Sequence, residues 1–186
     1  AQTRHWPHEV SLSFNLSTCD LADPTLIALL LAEIARAEIA PGRIEFEITE
    51  TAVMQDLQMA QTLLAQISEA GCRIALDDFG SGYSSFGYLD ELPLDKIKID
   101  KSFVRKVPTS AASREIVAAI LTLCHTLDLK CVLEGVETQS ELDLLRPLDP
   151  DIIQGYLFGK PMPASAAHLL VLDQSGPIEA DKWAQG

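Results

Sequence analysis

The chain has 186 residues, 47% hydrophobic and 22% charged, an ordinary globular composition that excludes disorder and low-complexity fibres. Its formal charge is −13, which disfavours a nucleic acid polymer or an anionic membrane surface as partner unless metal ions intervene. The longest apolar run, residues 26–32, falls far short of the roughly 18 residues of a bilayer span, no secretory leader is visible, and the four cysteines include no C-x-x-C pair. These features predict a cytoplasmic domain with reduced, buried thiols. The chain opens Ala1-Gln2-Thr3-Arg4, with no initiator Met, which suggests that an upstream segment has been removed and leaves a membrane-anchored parent possible.

Strand-like runs rich in Val, Ile, Leu and Phe lie near 10–16, 43–49, 72–77, 94–100, 129–134 and 151–156. Helical patterns fill the gaps. Asp23 offers an N-cap and Pro24 an N1 proline, followed by Ile27, Leu30, Leu31 and Ile34 at helical spacing. Ala60, Leu63, Leu64 and Ile67 repeat that spacing, with Gly71 as the stop. Ser113 is positioned to cap a third helix carrying Ile116, Val117, Ile120, Cys124 and Leu127, and residues 139–146 and 164–172 form shorter helical patterns. Strand and helix alternate six times, which predicts an α/β fold with a parallel sheet, open or closed as a barrel. At about 31 residues per unit, eight units would reach the roughly 250 residues of a (β/α)8 barrel, so the chain reads as three quarters of one. Residues 1–172 are assigned to the domain and 173–186 to a polar tail.

Alternation sorts each strand into two rows. Val10, Leu12, Phe14 and Leu16 oppose Ser11, Ser13, Asn15 and Ser17; Ile44, Phe46 and Ile48 oppose Glu45, Glu47 and Thr49; Leu94, Ile97 and Ile99 leave Lys96, Lys98 and Asp100 for the lumen. The polar rows end in Asn15, Glu47, Asp77, Lys98, Glu134 and Gln154. One polar residue at a strand end is ordinarily a cap or a loop contact. Six of them at the C-terminal ends, where barrel enzymes carry their active sites, point to function. Glu47, Asp77, Asp78 and Glu134 set four negative charges against Lys98, and carboxylates on strands about 4.8 Å apart repel or protonate unless cations neutralise them. With oxygen donors alone, Mg²⁺ or Mn²⁺ is favoured over Zn²⁺. The histidines at 5, 8, 125 and 168 fall outside the strand ends and read as solvated residues.

Asp78-Phe79-Gly80 matches a kinase triplet, but no H-R-D-x-x-x-x-N segment or G-x-G-x-x-G loop accompanies it, and the glycine-rich stretch after it is not a P-loop. A fuller match runs from about Trp6 to Pro163. Asn15-Leu16-Ser17, Glu47-Ile48-Thr49-Glu50, residues 77–85 (DDFGSGYSS), Lys98-Ile99-Asp100, Glu134-Gly135-Val136-Glu137 and Gln154-Gly155-Tyr156, in that order, resemble the EAL-domain cyclic di-GMP phosphodiesterases.

The resemblance implies a TIM-like (β/α)8 barrel of the EAL type that hydrolyses cyclic di-GMP to linear pGpG in bacterial signalling, using a two-metal site with Mg²⁺ or Mn²⁺. By the same likeness Asn15, Glu47 and Asp77 ligate one metal, with Asp77 bridging to a second that Asp78 also holds. Glu134 is the general base or a water-mediated ligand, and Lys98 positions the attacking water. Gln154 holds a coordinated water or a neighbouring group, Glu50 braces the loop after Asp77-Asp78, and Asp100 and Glu137 support substrate or loop. The Glu-Ala-Leu signature, a metal ligand upstream of Asn15 in the family, is absent. Its absence implies that roughly the first two βα units are missing and that the 186 residues alone make a poor enzyme. The resemblance further implies fusion to upstream regulatory domains and a homodimer. A receptor that binds cyclic di-GMP without cleaving it is the alternative, and an enolase-like barrel a third reading without motif support.

Overall fold

The computed structural model describes residues 7, 10–81 and 86–173. The histidines at 5 and 8, Trp6, loop residues 82–85 and the tail from 174 onward lie outside the described residues.

Six strands form one parallel sheet in the order β1 (Leu12–Leu16), β2 (Ile44–Thr49), β3 (Arg73–Phe79), β4 (Lys96–Ile99), β5 (Lys130–Leu133) and β6 (Ile152–Ile153). The helices are α1 (Thr18–Leu21), α2 (Pro24–Arg36), α3 (Glu50–Gln55), α4 (Leu57–Glu69), α5 (Lys101–Val104), α6 (Ala111–Thr126), α7 (Gln139–Leu145) and α8 (Ala164–Asp173). Every strand pairs with its neighbour in sequence, the topology of a barrel wall built from βα units.

The helices start where the sequence supplies caps. Asp23 accepts from the amides of Thr25 (2.9 Å) and Leu26 (3.3 Å) with Pro24 opening α2, as expected. Ser17, expected in the polar row of the first strand, instead caps α1 in a capping box with Asp20. The third long helix corrects the sequence reading. Ser110 is its cap, and Ser113 is buried in its first turn, donating its amide to Ser110 Oγ at 3.1 Å. The two alanines between them favour helix and extend it three residues upstream.

Strands β4 and β6 are shorter than the alternation predicts, and just before them Asp95 and Asp151 accept from the amides of Ile74 and Cys131 in the adjacent strands, at 2.8 and 3.0 Å. The core lies between sheet and helices, where Ile27, Leu63, Leu64 and Ile67 meet Ile48, Ile74, Leu76, Ile97 and Ile99. Each such side chain, fully buried, contributes about 1.5–3 kcal/mol. Cys72, Cys124 and Cys131 are buried free thiols and Cys19 is exposed. Phe14 departs from its row. Strand β1 pairs only with β2 among the described residues, and Phe14 is 48% exposed, its ring 6.2 Å from that of Phe46. No helix among the described residues is long and apolar enough to cross a membrane.

Candidate functional site

The register sets the height of each polar strand end. Asn15 lies opposite Glu47, Thr49 opposite Asp77, and Lys98 opposite Val132, with Glu134 directly after β5. Lys98 is the hub. Its Nζ lies 2.6 Å from Glu47 Oε2, 2.8 Å from Glu134 Oε1 and 3.2 Å from Asp77 Oδ1, on a residue 5% exposed. Below it, buried Glu45 pairs with Lys96 and accepts from Ser13 Oγ at 3.3 Å.

Strict alternation would turn Asp78 toward the helices. The register between β3 and β4 shifts between Leu76 and Phe79, and Asp78 has φ 54°, a left-handed conformation that Asp tolerates better than most residues. Phe79 therefore takes the helix side, fully buried, and Asp78 stays with Asp77 at the mouth. One carboxylate oxygen from each of Asp77, Asp78 and Glu134 lies within 4.8 Å of the others.

Electrostatics follow from this crowding. Burial works to lower the Lys98 ammonium, but hydrogen bonds to Glu134 and Glu47 outweigh it and hold the group firmly protonated. Burial raises Glu134 above the usual carboxylate range, with Asp77 and Glu47 adding repulsion that Lys98 only partly offsets. Asp78 is raised by burial and by its neighbours Asp77 and Asp100. One ammonium is not enough countercharge for this mouth. The donors are all carboxylate oxygens, and their mutual spacing suits a hard divalent cation.

The remaining expected residues surround the mouth without joining its cluster. Asn15 is exposed on edge strand β1. Glu50, 5% exposed, accepts from the Gly80 amide at 3.4 Å, and burial together with the Glu50 carboxylate keeps the Tyr88 phenol protonated. Asp100 caps α5 through the Ser102 amide at 2.9 Å; burial opposes its ionisation, but the Ser102 hydrogen bonds prevail and lower it. Gln154 and Glu137 line a cavity of about 610 Å³ that opens beside Glu134. That cavity also contains Lys101, Arg105, Tyr156 and Lys160, which strand-end reasoning does not select. The available signal is charge: Lys101, Arg105 and Lys106 put three cations just beyond a strand in an otherwise acidic chain. Of the histidines, His125 is half exposed with Nε2 3.3 Å from Asp151 Oδ2, away from the mouth.

The carboxylates and the lysine gather at the C-terminal ends of a parallel sheet, the face on which barrel folds carry their sites. The sequence profile of the EAL domain matches residues 1–161, and the chain belongs to that family. The cyclic di-GMP phosphodiesterase NbdA of Pseudomonas aeruginosa is 38% identical over 160 residues, 86% of this chain and 20% of NbdA. Among solved structures, the MucR phosphodiesterase of the same organism in complex with c-di-GMP aligns with TM-score 0.80 at 37% identity, over 84% of this chain and 64% of that one. The manganese/cy-diGMP complex of Klebsiella pneumoniae BlrP1 aligns with TM-score 0.76 at 34% identity, over 81% of this chain and 39% of that one. A calcium/cy-diGMP complex of BlrP1 aligns equally well. The chain spans about a fifth of the length of the curated relatives it matches.

Proposed function

We propose that this domain hydrolyses cyclic di-GMP to linear pGpG with Mg²⁺ or Mn²⁺. The observation that carries the reading is the Asp77, Asp78 and Glu134 cluster beside buried Lys98, on a fold shared with MucR and BlrP1. Asn15, Glu47 and Asp77 would hold one cation, and Asp77 with Asp78 a second. When bound, the cations supply Lewis-acid polarisation of the phosphodiester and a more acidic water.

The chain's own groups do the rest. Glu134, raised by burial, accepts the proton of the attacking water at its carboxylate. Lys98 holds Glu134 and Asp77 in place and counters negative charge as the phosphorus is attacked. Glu50 fixes the backbone after Asp77-Asp78 through Gly80, and Gln154 and Asp100 support the rim. A cytoplasmic location, upstream regulatory domains and a homodimer accompany this reading as expectations of the family.

The test is product analysis. The 186-residue chain and a longer chain carrying upstream sequence are incubated with cyclic di-GMP in Mn²⁺, Mg²⁺ or excess EDTA. Formation of pGpG with either metal and none in EDTA supports the assignment. Binding without product in both chains marks a receptor, and full hydrolysis in EDTA refutes the metal assignment.

A further inference from the structure

The turn that carries Asp78 holds two left-handed residues within three positions, Asp78 at φ 54° and Gly80 at φ 87°. Such a conformation is costly for a residue other than glycine and persists only where the surroundings enforce it. Part of that enforcement is local, the Ser81 amide donating to Asp78 O at 3.1 Å. The rest comes from outside the turn. Glu50 Oε2 accepts from the Gly80 amide at 3.4 Å, and the ring of Phe86 lies 5.9 Å from that of Phe79. Phe86 opens a short 3₁₀ helix, Phe86–Glu91, in the connection between β3 and β4. That helix is itself anchored, with Leu89 in the core and Gln61 Nε2 of α4 donating to Glu91 Oε2 at 2.8 Å. Its third residue is Tyr88.

Tyr88 is 4% exposed and Glu50 5%. A position that needs only a buried ring is served by Phe, because a phenol hydroxyl taken out of water is costly unless a partner accepts its proton. The Tyr88 hydroxyl oxygen is buried, and among the described residues no group other than the Glu50 carboxylate is in position to accept from it. The phenol stays protonated there and is therefore a donor. An ionised carboxylate accepts at two oxygens, so Glu50 can take the phenol proton and the Gly80 amide together. Resting on the phosphodiesterase reading, we propose that Tyr88 is a positioning residue for the metal site: its hydroxyl donates to Glu50, Glu50 thereby keeps its hold on the Gly80 amide, and the Asp78 carboxylate is kept at the mouth beside Asp77 and Glu134. The ring of Tyr88 then serves the core, and its hydroxyl serves cation affinity.

The experiment is a double-mutant cycle read by Mn²⁺ titration, with free Mn²⁺ followed by electron paramagnetic resonance and no nucleotide present. Y88F keeps the ring and removes only the hydroxyl, E50A removes the acceptor, and the double variant closes the cycle, with circular dichroism confirming that each chain is folded at the titration temperature. Groups that orient a metal ligand from behind support affinity by about 10- to 100-fold, and Tyr88 acts through two intermediaries, so Y88F is expected to weaken Mn²⁺ binding by about three- to tenfold. In the E50A background the same change is expected to have an effect of less than about twofold, because the route from the hydroxyl to Gly80 is already cut. A residue that only packed would leave Mn²⁺ affinity unmoved when its ring is retained. Unchanged affinity in Y88F overturns the proposal and leaves the phosphodiesterase reading standing. An equal loss with and without Glu50 also overturns it, since the hydroxyl would then act by another route. If the wild type binds no Mn²⁺, the metal assignment and the proposal that rests on it fall together.

Discussion

Asp78 donates its amide to Oδ1 of the preceding Asp77 at 2.9 Å, and its φ of 54° brings two consecutive carboxylates to one side of the strand. Asn tolerates this backbone conformation, whereas a β-branched residue does not. Asp78→Asn is therefore expected to keep stability within about 0.5 kcal/mol while weakening Mn²⁺ binding. Asp78→Val is expected to lose about 1–3 kcal/mol as well. Urea denaturation and a Mn²⁺ titration followed by electron paramagnetic resonance separate the two effects. Equal stability of the two variants would show that the left-handed residue is not required.

Lys98→Met removes the one cation shared by Glu47, Asp77 and Glu134. Leaving those carboxylates without a partner is expected to cost about 3 kcal/mol in EDTA, with part recovered in Mn²⁺ because a ligand that binds only the folded state stabilises it. Urea midpoints in the two buffers give the comparison, and an unchanged midpoint in EDTA contradicts the hub.

Glu134→Gln keeps the shape of the side chain but cannot accept a proton. Turnover of cyclic di-GMP is expected to fall by about 10²- to 10⁴-fold while most substrate binding remains. Near-normal rates, measured by product chromatography, would rule out Glu134 as the base.

Gly135 has φ 75°, and a Cβ there would sit 2.5 Å from Lys101 Cβ. Gly135→Ala is expected to destabilise the domain by about 1–3 kcal/mol and to lower activity by moving the adjacent Glu134. Thermal unfolding and the hydrolysis assay read the two effects.

Asp151 joins the start of β6 to β5 by accepting from the Cys131 amide, and it pairs with Lys130 Nζ at 2.7 Å. Burial works to raise this carboxyl, but Lys130 and the Cys131 amide outweigh it and bring it below the usual range. A depressed folded value means that the ionised form favours folding, so the contribution is complete above about pH 4 and is lost as pH falls through the folded value. Asp151→Asn is expected to be less stable than the wild type at pH 7, and the gap to close in urea titrations carried down to pH 3. A gap independent of pH would assign the effect to packing.

Glu47, Lys98 and Glu134 are legible in the sequence because Ile, Phe and Leu alternate with them, and a parallel strand covered by helices must send its polar row to the other face. Asp78 is not, since alternation directs it toward the helices and only a positive φ brings it back. The cap of α6 is ambiguous for a local reason: two serines three residues apart both precede apolar periodicity, and helix-favouring alanines between them select the earlier one. Arg105 is marked only by the run of cations after β4, because its place beside Glu137 depends on how the connections after β4 and β5 approach each other, which no single-strand pattern encodes.

Because the strands run from β1 to β6 in chain order, each pairs with the one formed just before it across a single connection. The entropy of loop closure is then met in modest instalments, and the contact order of the sheet stays low for a parallel topology. The arc can zip progressively, and none of its pairings has to await a strand from the far end of the chain.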